Sequence, residues 1–387
     1  MKIIRPIALT DDMLTDSNVA ENDYSEFAMG TTYADGDHCI VATGLEILNL
    51  DVAPASDWAA GDIITGQSSA VTSVCVSKIT SLTYYVRERS GNYTLGEIIG
   101  VTGVGVKLAD QGAANPTITA ATDKVHKVYE SLAAGNVGNY PPTDVLATTP
   151  KWLEVSATNR WKTFDNKVGS QTSQATSITF KITPGAVFDS IAFLNLDAVS
   201  VQVVLTDPVE GEVYNETIDL ISTVITGSSG IYDWYSYFFS SQFRLTDFVK
   251  FDIPPYLNAI LDITITYTGG TAKVGGIVFG VQSTLGTTQY SPNIGIHDYS
   301  IKEQDPFGVW SITERAYSKK MTCDVQIESV SIDDVQRILA LYRASPLVWI
   351  GSETYSSMIA YGFYKDFSII ISYPTFAICS IEIEGLT

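Results

Sequence analysis

Leu261-Asp262-Ile263-Thr264-Ile265-Thr266-Tyr267 alternates apolar and polar side chains without a break. Successive side chains of a β-strand point to opposite faces, so this period of two marks a strand with one face in a core and one in water. Ser177-Ile178-Thr179-Phe180-Lys181-Ile182 and Val199-Ser200-Val201-Gln202-Val203 repeat it, and Phe367 to Ile371 and Cys379 to Ile383 are again strand-like. Turn-forming Gly, Pro or Asp residues close the alternating runs. One stretch has a different period. Val335, Ile338, Leu339 and Tyr342 recur at helical spacing behind Ser331 and Asp334, a capping-box pattern, and Pro346 closes the run. The expected fold is therefore mainly β and multi-domain, with one helix of about twelve residues packed on a sheet.

Composition agrees with this. The 387 residues are 45% hydrophobic and 17% charged, which supports packed cores and excludes a disordered chain. The 21 tyrosines and 29 glycines suit short strands joined by tight turns. The formal net charge of −20 repels phosphate, and no Lys/Arg cluster offsets it, so neither nucleic acid nor an anionic membrane is an expected partner. No apolar run reaches the roughly 18 residues of a membrane-spanning helix, so no membrane insertion is expected. The opening Met1–Asp12 stretch is interrupted by Pro6 and does not read as a secretory signal, which implies synthesis in a cytoplasm. Cys39, Cys75, Cys323 and Cys379 lack metal or redox spacing and are expected to be buried thiols.

Four segments emerge. Residues 1–42 together with 124–158 form one small module, and residues 43–123 form a small β-barrel inserted into it. Residues 159–284 form a β-sandwich or jelly roll, and residues 285–387 an α+β unit carrying the helix. Within the insertion, an aromatic residue followed by a turn and Gly-acid-Ile-Ile occurs twice. The copies are Trp58…Gly61-Asp62-Ile63-Ile64 and Tyr93…Gly96-Glu97-Ile98-Ile99. The polar Gly112–Asp123 stretch reads as the exit linker.

The segment Tyr24-Ser25-Glu26-Phe27 through Tyr33-Ala34-Asp35-Gly36-Asp37 resembles the opening of small chitinase-type carbohydrate-binding modules. The continuation expected of that family follows the insertion, as Val128-Tyr129-Glu130, then Ala134–Pro142, then Trp152. Phe27 stands where the family usually has tryptophan. Sugar rings stack an apolar C–H face on flat aromatics while amides bond their hydroxyls. The candidate carbohydrate site is Tyr33, Tyr140 and Trp152 as platform with Asn136 and Asn139 as polar partners. Tyr140, beside Pro141-Pro142, is the ring expected to be exposed, whereas for Tyr33 and Trp152 the core of so small a module is the stronger expectation, since large aromatics mostly supply burial. The chain also resembles a family of tail-associated proteins of tailed bacteriophages, through Trp161-Lys162-Thr163-Phe164-Asp165, Trp349-Ile350-Gly351, Tyr361-Gly362-Phe363-Tyr364 and Glu384-Gly385-Leu386. That resemblance implies a virion protein at the tail tip, baseplate or fibre-attachment site. Its expected partners are other tail proteins and copies of itself in threefold or sixfold rings.

Chemistry is harder to find in the sequence. His38, His126 and His297 show no metal-binding spacing. Gly66-Gln67-Ser68-Ser69-Ala70 misses the nucleophile-elbow pattern at its last position, and Gly100-x-x-Gly103-x-Gly105 reverses the dinucleotide-binding order. His297-Asp298 reads as a loop pair. The expectation is a non-enzyme without cofactor or metal: a tail component whose module contacts host surface glycans. The alternatives are a free-standing lectin or adhesin, and a glycan-degrading spike enzyme.

Overall fold

The computed structural model describes residues 1–28, 31–42, 46–50, 54, 57–59, 61–66, 70, 72–87, 99–101, 117–118, 125–220 and 244–387. The protein is mainly β, with several sheets. It divides into two compact units, one of Met1–Ala20 with Asn159–Thr387 and the other of Glu21–Thr158.

The 25-residue strand Ile260–Thr284 organises the first unit. Its first half carries the alternation that decides the fold. Leu261, Ile263 and Ile265 point into a core with Ile178, Phe180, Val201 and Val203, contributed by the neighbouring strands Thr172–Ile182 and Ser200–Asp207. Its second half loses the alternation: Ile277, Val278 and Phe279 are all buried, because cores cover both faces of the sheet there. Lys2–Pro6 pairs with this second half on one side and with Leu347–Ile350 on the other. Ile3 and Ile4 are both fully buried, Ile3 beside Trp349 and Leu339, Ile4 beside Ala192 and Val348. The 14-stranded sheet thus runs from residues 159–284 into residues 285–387 through the N-terminal strand. Read as sequence, residues 1–20 belong with the small split module of residues 1–42 and 124–158. The structure puts them in this unit, because a short strand buried on both faces has no period of two to reveal it.

The helix is Ile332–Leu341, preceded by a tight turn at Ser329–Ser331. Val335 and Leu339 are buried and Ile338 and Tyr342 pack beside them, as their spacing requires. The expected capping box does not form. Ser331 has φ −101° and ψ 0°, not the extended conformation of a side-chain cap, and its hydroxyl makes no capping bond. Asp334 pairs instead with Arg337 at 2.8 Å.

In the second unit, His38–Val41, Lys127–Ser131 and Trp152–Ala157 form a three-stranded sheet with Lys127–Ser131 in the middle. Glu46–Asn49, Ile63–Gly66, Thr72–Thr80, Thr83–Arg87, Ile99–Val101 and Thr117–Ile118 form a six-stranded one around Leu48, Trp58, Ile64, Tyr84 and Ile99. One turn device serves both sheets. Asp37 accepts from the Ala34 N–H at 2.6 Å and Asp62 from the Ala59 N–H at 2.7 Å. In each the preceding glycine, Gly36 or Gly61, takes the left-handed conformation that a side chain would strain. The repeated strands Ile63–Gly66 and Ile99–Val101 are neighbours, although Tyr93 to Ile98 lie outside the described residues. So do most of the Gly112–Asp123 stretch, Gln67 to Ser69, Gly103 and Gly105. The Thr117–Ile118 part of that stretch is an edge strand on Glu46–Asn49.

All four cysteines are buried and unpaired. Burial pushes the Cys39 thiol up to about 12 and those of Cys75, Cys323 and Cys379 to about 11. The native chain should therefore leave thiol reagents unreacted at pH 8, and all four should react once it is unfolded. Because the folded values are raised, stability is full below the ordinary thiol range. It declines as pH climbs from there towards the raised values, which a denaturation series from pH 8 to 10 measures.

Candidate functional site

The two pieces of the module meet at the expected site residues. Tyr33 and Asn136 exchange backbone hydrogen bonds at 2.9 and 3.0 Å. Tyr33 and Trp152 stand edge to face at 5.0 Å, Phe27 stacks on Tyr33 at 5.8 Å, and Tyr140 tilts against Phe27 at 5.9 Å. The amides complete the network. Asn136 is buried and its side-chain NH2 donates to Ser131 Oγ and to the Lys151 carbonyl. Asn139 Nδ2 donates to Asn136 Oδ1 at 2.7 Å, and the Trp152 indole N–H donates to the Asn139 carbonyl at 2.9 Å.

All five residues therefore come together, but Tyr33, Asn136, Tyr140 and Trp152 do so as a buried interior, with Asn139 half-buried at its edge. Trp152 is 1% exposed and Tyr140 6%. A pyranose needs an open ring face, and these rings spend their faces on one another. The expectation that Tyr140 is exposed is corrected: its ring packs against Phe27 and, at 6.3 Å, Tyr85. The Phe27 that replaces the usual tryptophan of the resembled family lies at the centre of this cluster. Among the described aromatic residues of the module, Tyr24 is the large exposed one, stacked on His38 at 4.8 Å.

The histidines serve as partners of carboxylates. His126 Nδ1 lies 2.8 Å from Glu21, and the Thr158 hydroxyl donates to that same carboxylate at 2.6 Å. A hydroxyl bonded to the acid in this way is not bonded to the imidazole that would have to activate it. His38 lies 3.7 Å from Glu130. Among the described residues no three His, Cys, Asp or Glu side chains are grouped to hold a metal ion, and no described helix is long and apolar enough to cross a membrane.

A feature that the sequence reading passed over stands on the first unit. His297-Asp298 is not a loop but the end of the edge strand Asn293–Asp298, which pairs with Tyr317–Glu328. From it rises a two-stranded arm, Ile301–Gln304 against Trp310–Thr313, which forms a sheet of its own. Its turn follows from Asp305-Pro306-Phe307-Gly308. Proline presets the second position, the Gly308 N–H closes on the Asp305 carbonyl at 3.0 Å, and the Asp305 carboxylate accepts from Phe307 and Val309 N–H groups. Every arm residue is exposed, yet Phe307, Val309, Trp310 and Ile312 are large and apolar. Phe307 is 91% exposed and Trp310 59%. The available signals were the proline-glycine turn and the alternation Trp310-Ser311-Ile312-Thr313 after it; that run is only four residues long, and Ile301–Gln304 opposite carries a single apolar residue.

The arm is anchored at a buried carboxylate. Glu384 accepts from Tyr299 Oη at 3.2 Å, bonds Lys365, and faces His297 Nδ1 at 3.3 Å, while the His297 and Tyr299 rings stack at 4.5 Å. The Lys365 hydrogen bond above all, with those of Tyr299 and His297, holds Glu384 below the usual carboxylate range. A depressed carboxylate contributes stability above its unfolded value, roughly 4.3, and loses it as pH falls through the folded one. Glu384→Gln should therefore lower the melting temperature at pH 7, by about 1–3 kcal/mol of stability for a broken charged hydrogen bond. The gap from the wild type should close as pH falls below 4, in thermal scans across that range.

Nearby, a cleft of about 350 Å³ lies between Leu194, Asp247, Tyr317, Lys319 and Tyr361. The Lys319 ammonium donates to Asp247 and to the carbonyls of Ser356 and Ile359, which uses all three of its protons. The C-terminal motifs converge beside it: Leu347–Ile350 pairs with Ile359–Ile370, Gly362 sits opposite Gly385, and the Trp349 indole donates to the Gly362 carbonyl at 3.0 Å. Compared with known proteins, the chain matches no family model, no curated protein and no solved structure.

Proposed function

We propose that this chain is a non-enzymatic structural subunit of a bacteriophage tail, at the tip, baseplate or fibre-attachment region, that assembles with copies of itself. The observation that carries the assembly reading is the arm. A hairpin that turns Phe307, Val309, Trp310 and Ile312 to water is the surface of a protein that meets another surface. The tail assignment draws on the resemblance carried by Trp161–Asp165 and the three C-terminal motifs, which this fold gathers onto adjoining strands. Particles of the phage encoding the chain, labelled with gold-conjugated antibody against it, test the reading. Label at the distal tail supports it, and particles without label overturn it.

The second reading is a lectin, and here the favouring observation is Tyr24. Its exposed ring stacks on His38, with Glu130 beside the imidazole, an arrangement that suits a sugar face and its hydroxyls. The five residues expected to bind sugar hold the module together instead. Loss of polysaccharide binding in Tyr24→Ala, with the melting curve unchanged, would favour the lectin; absence of binding by the unaltered chain would remove it.

A further inference from the structure

We infer that copies of this chain join head to tail, the arm of one copy seating on a second apolar patch of the next. This deepens the reading of the chain as an assembly subunit and rests on it.

The second patch is the turn between the strands Ile359–Ile370 and Phe376–Gly385. Ile370, Ile371 and Tyr373 are exposed there. Ser329 binds the Pro374 carbonyl through its hydroxyl at 2.8 Å and the Thr375 carbonyl through its N–H at 3.1 Å, which brings the exposed Val330 alongside.

Three features favour a second copy as the occupant. Charge comes first. On a chain of net charge −20, copies repel except where charge is absent. Residues 306–313 of the arm and 370–376 of the patch contain no charged residue. Two acidic copies can therefore approach along these surfaces.

Area comes second. At ~150–250 Å² for each large aromatic side chain, Phe307, Trp310 and Tyr317 leave on the order of 400 Å² in water. Ile296, Val309 and Ile312 are also exposed. With the polar rim of the arm, the surface approaches the ~800 Å² per partner of a stable interface. Trp310 and Ile312, two residues apart on one strand, share a face, as a flat contact requires.

Placement comes third. The arm is anchored at Glu384 and the patch ends at Phe376, eight residues away near the other end of the same strand, about 26 Å at ~3.3 Å per residue. Donor and acceptor on different parts of one unit make a heterologous contact, which repeats from copy to copy and closes into a ring where the rotation allows. An arm-to-arm pair would leave the patch in water.

The test uses the full chain and two variants on exposed side chains, Phe307→Asp with Trp310→Asp in the arm and Ile371→Asp with Tyr373→Asp in the patch. Circular dichroism confirms folding, and sedimentation velocity reads size. The wild type should assemble beyond a dimer. Each variant alone should associate roughly 100-fold more weakly or worse, since buried aromatic anchors carry most of an interface. An equimolar mixture should form a one-to-one dimer and nothing larger, because only one intact arm meets one intact patch. If the wild type assembles but the mixture stays monomeric, or either variant assembles like the wild type, head-to-tail joining is wrong while the assembly reading stands. A wild type that is monomeric at every concentration overturns both.

Discussion

Trp152→Ala should unfold the second unit while leaving the first unit folded. Trp152 is the pivot of that interior: edge-on to Tyr33 at 5.0 Å and to Phe27 at 5.9 Å, and bonded through its indole to the Asn139 carbonyl. Truncating a buried tryptophan to alanine costs about 3–5 kcal/mol, the lost burial plus the cavity left behind. A small module has little stability in reserve, so a loss of that size is most of what it holds. Urea titrations should show two transitions in the wild type and, in the variant, the transition of the second unit displaced to low denaturant or gone. Trp152→Phe keeps a ring but drops the indole bond, and should fall between. A variant that lost sugar affinity with both transitions intact would restore Trp152 to a binding platform.

Gly280→Ala should be among the most damaging single methyls in the first unit. A Cβ built on Gly280 would lie 1.9 Å from the Arg5 carbonyl oxygen, and backbone cannot move aside as the end of a side chain can. Gly280 sits opposite Pro6 on one side and Ser190 on the other, so the clash pushes at the junction where Lys2–Pro6 joins the long strand. Overpacking of a well-filled interior costs 1–3 kcal/mol, and a forced backbone shift lies at or beyond the top of that range, about 3 kcal/mol or more. Gly295 is the control: a Cβ there meets nothing within 4 Å, and Gly295→Ala should melt with the wild type. If Gly280→Ala melts with it too, the N-terminal strand does not sit where we place it.

What sequence reveals here depends on how many faces of a strand are covered. Leu261 to Tyr267 has one wet face, so its alternation is visible and its core residues are where the pattern puts them. Val335, Ile338 and Leu339 mark the helix for the same reason. Ile3 and Ile4 are both covered, and nothing in a five-residue run distinguishes such a strand from a loop. The arm is the opposite case, wet on both faces: Trp310–Thr313 alternates over only four residues, and Ile301–Gln304 opposite it does not. The site residues show a different limit. Sequence order brought Tyr33, Asn136, Asn139, Tyr140 and Trp152 together correctly across a long insertion. Whether an aromatic ring faces a neighbour or water is decided by packing, which the residue type does not carry.

The most direct test of the account is the mass of the intact chain in solution, by sedimentation equilibrium over a range of concentrations. An assembly subunit should give a discrete species at a whole multiple, above two, of the 42.0 kDa chain, favoured as concentration rises. A single species at 42.0 kDa throughout would contradict it, and would leave the arm without a partner of its own kind.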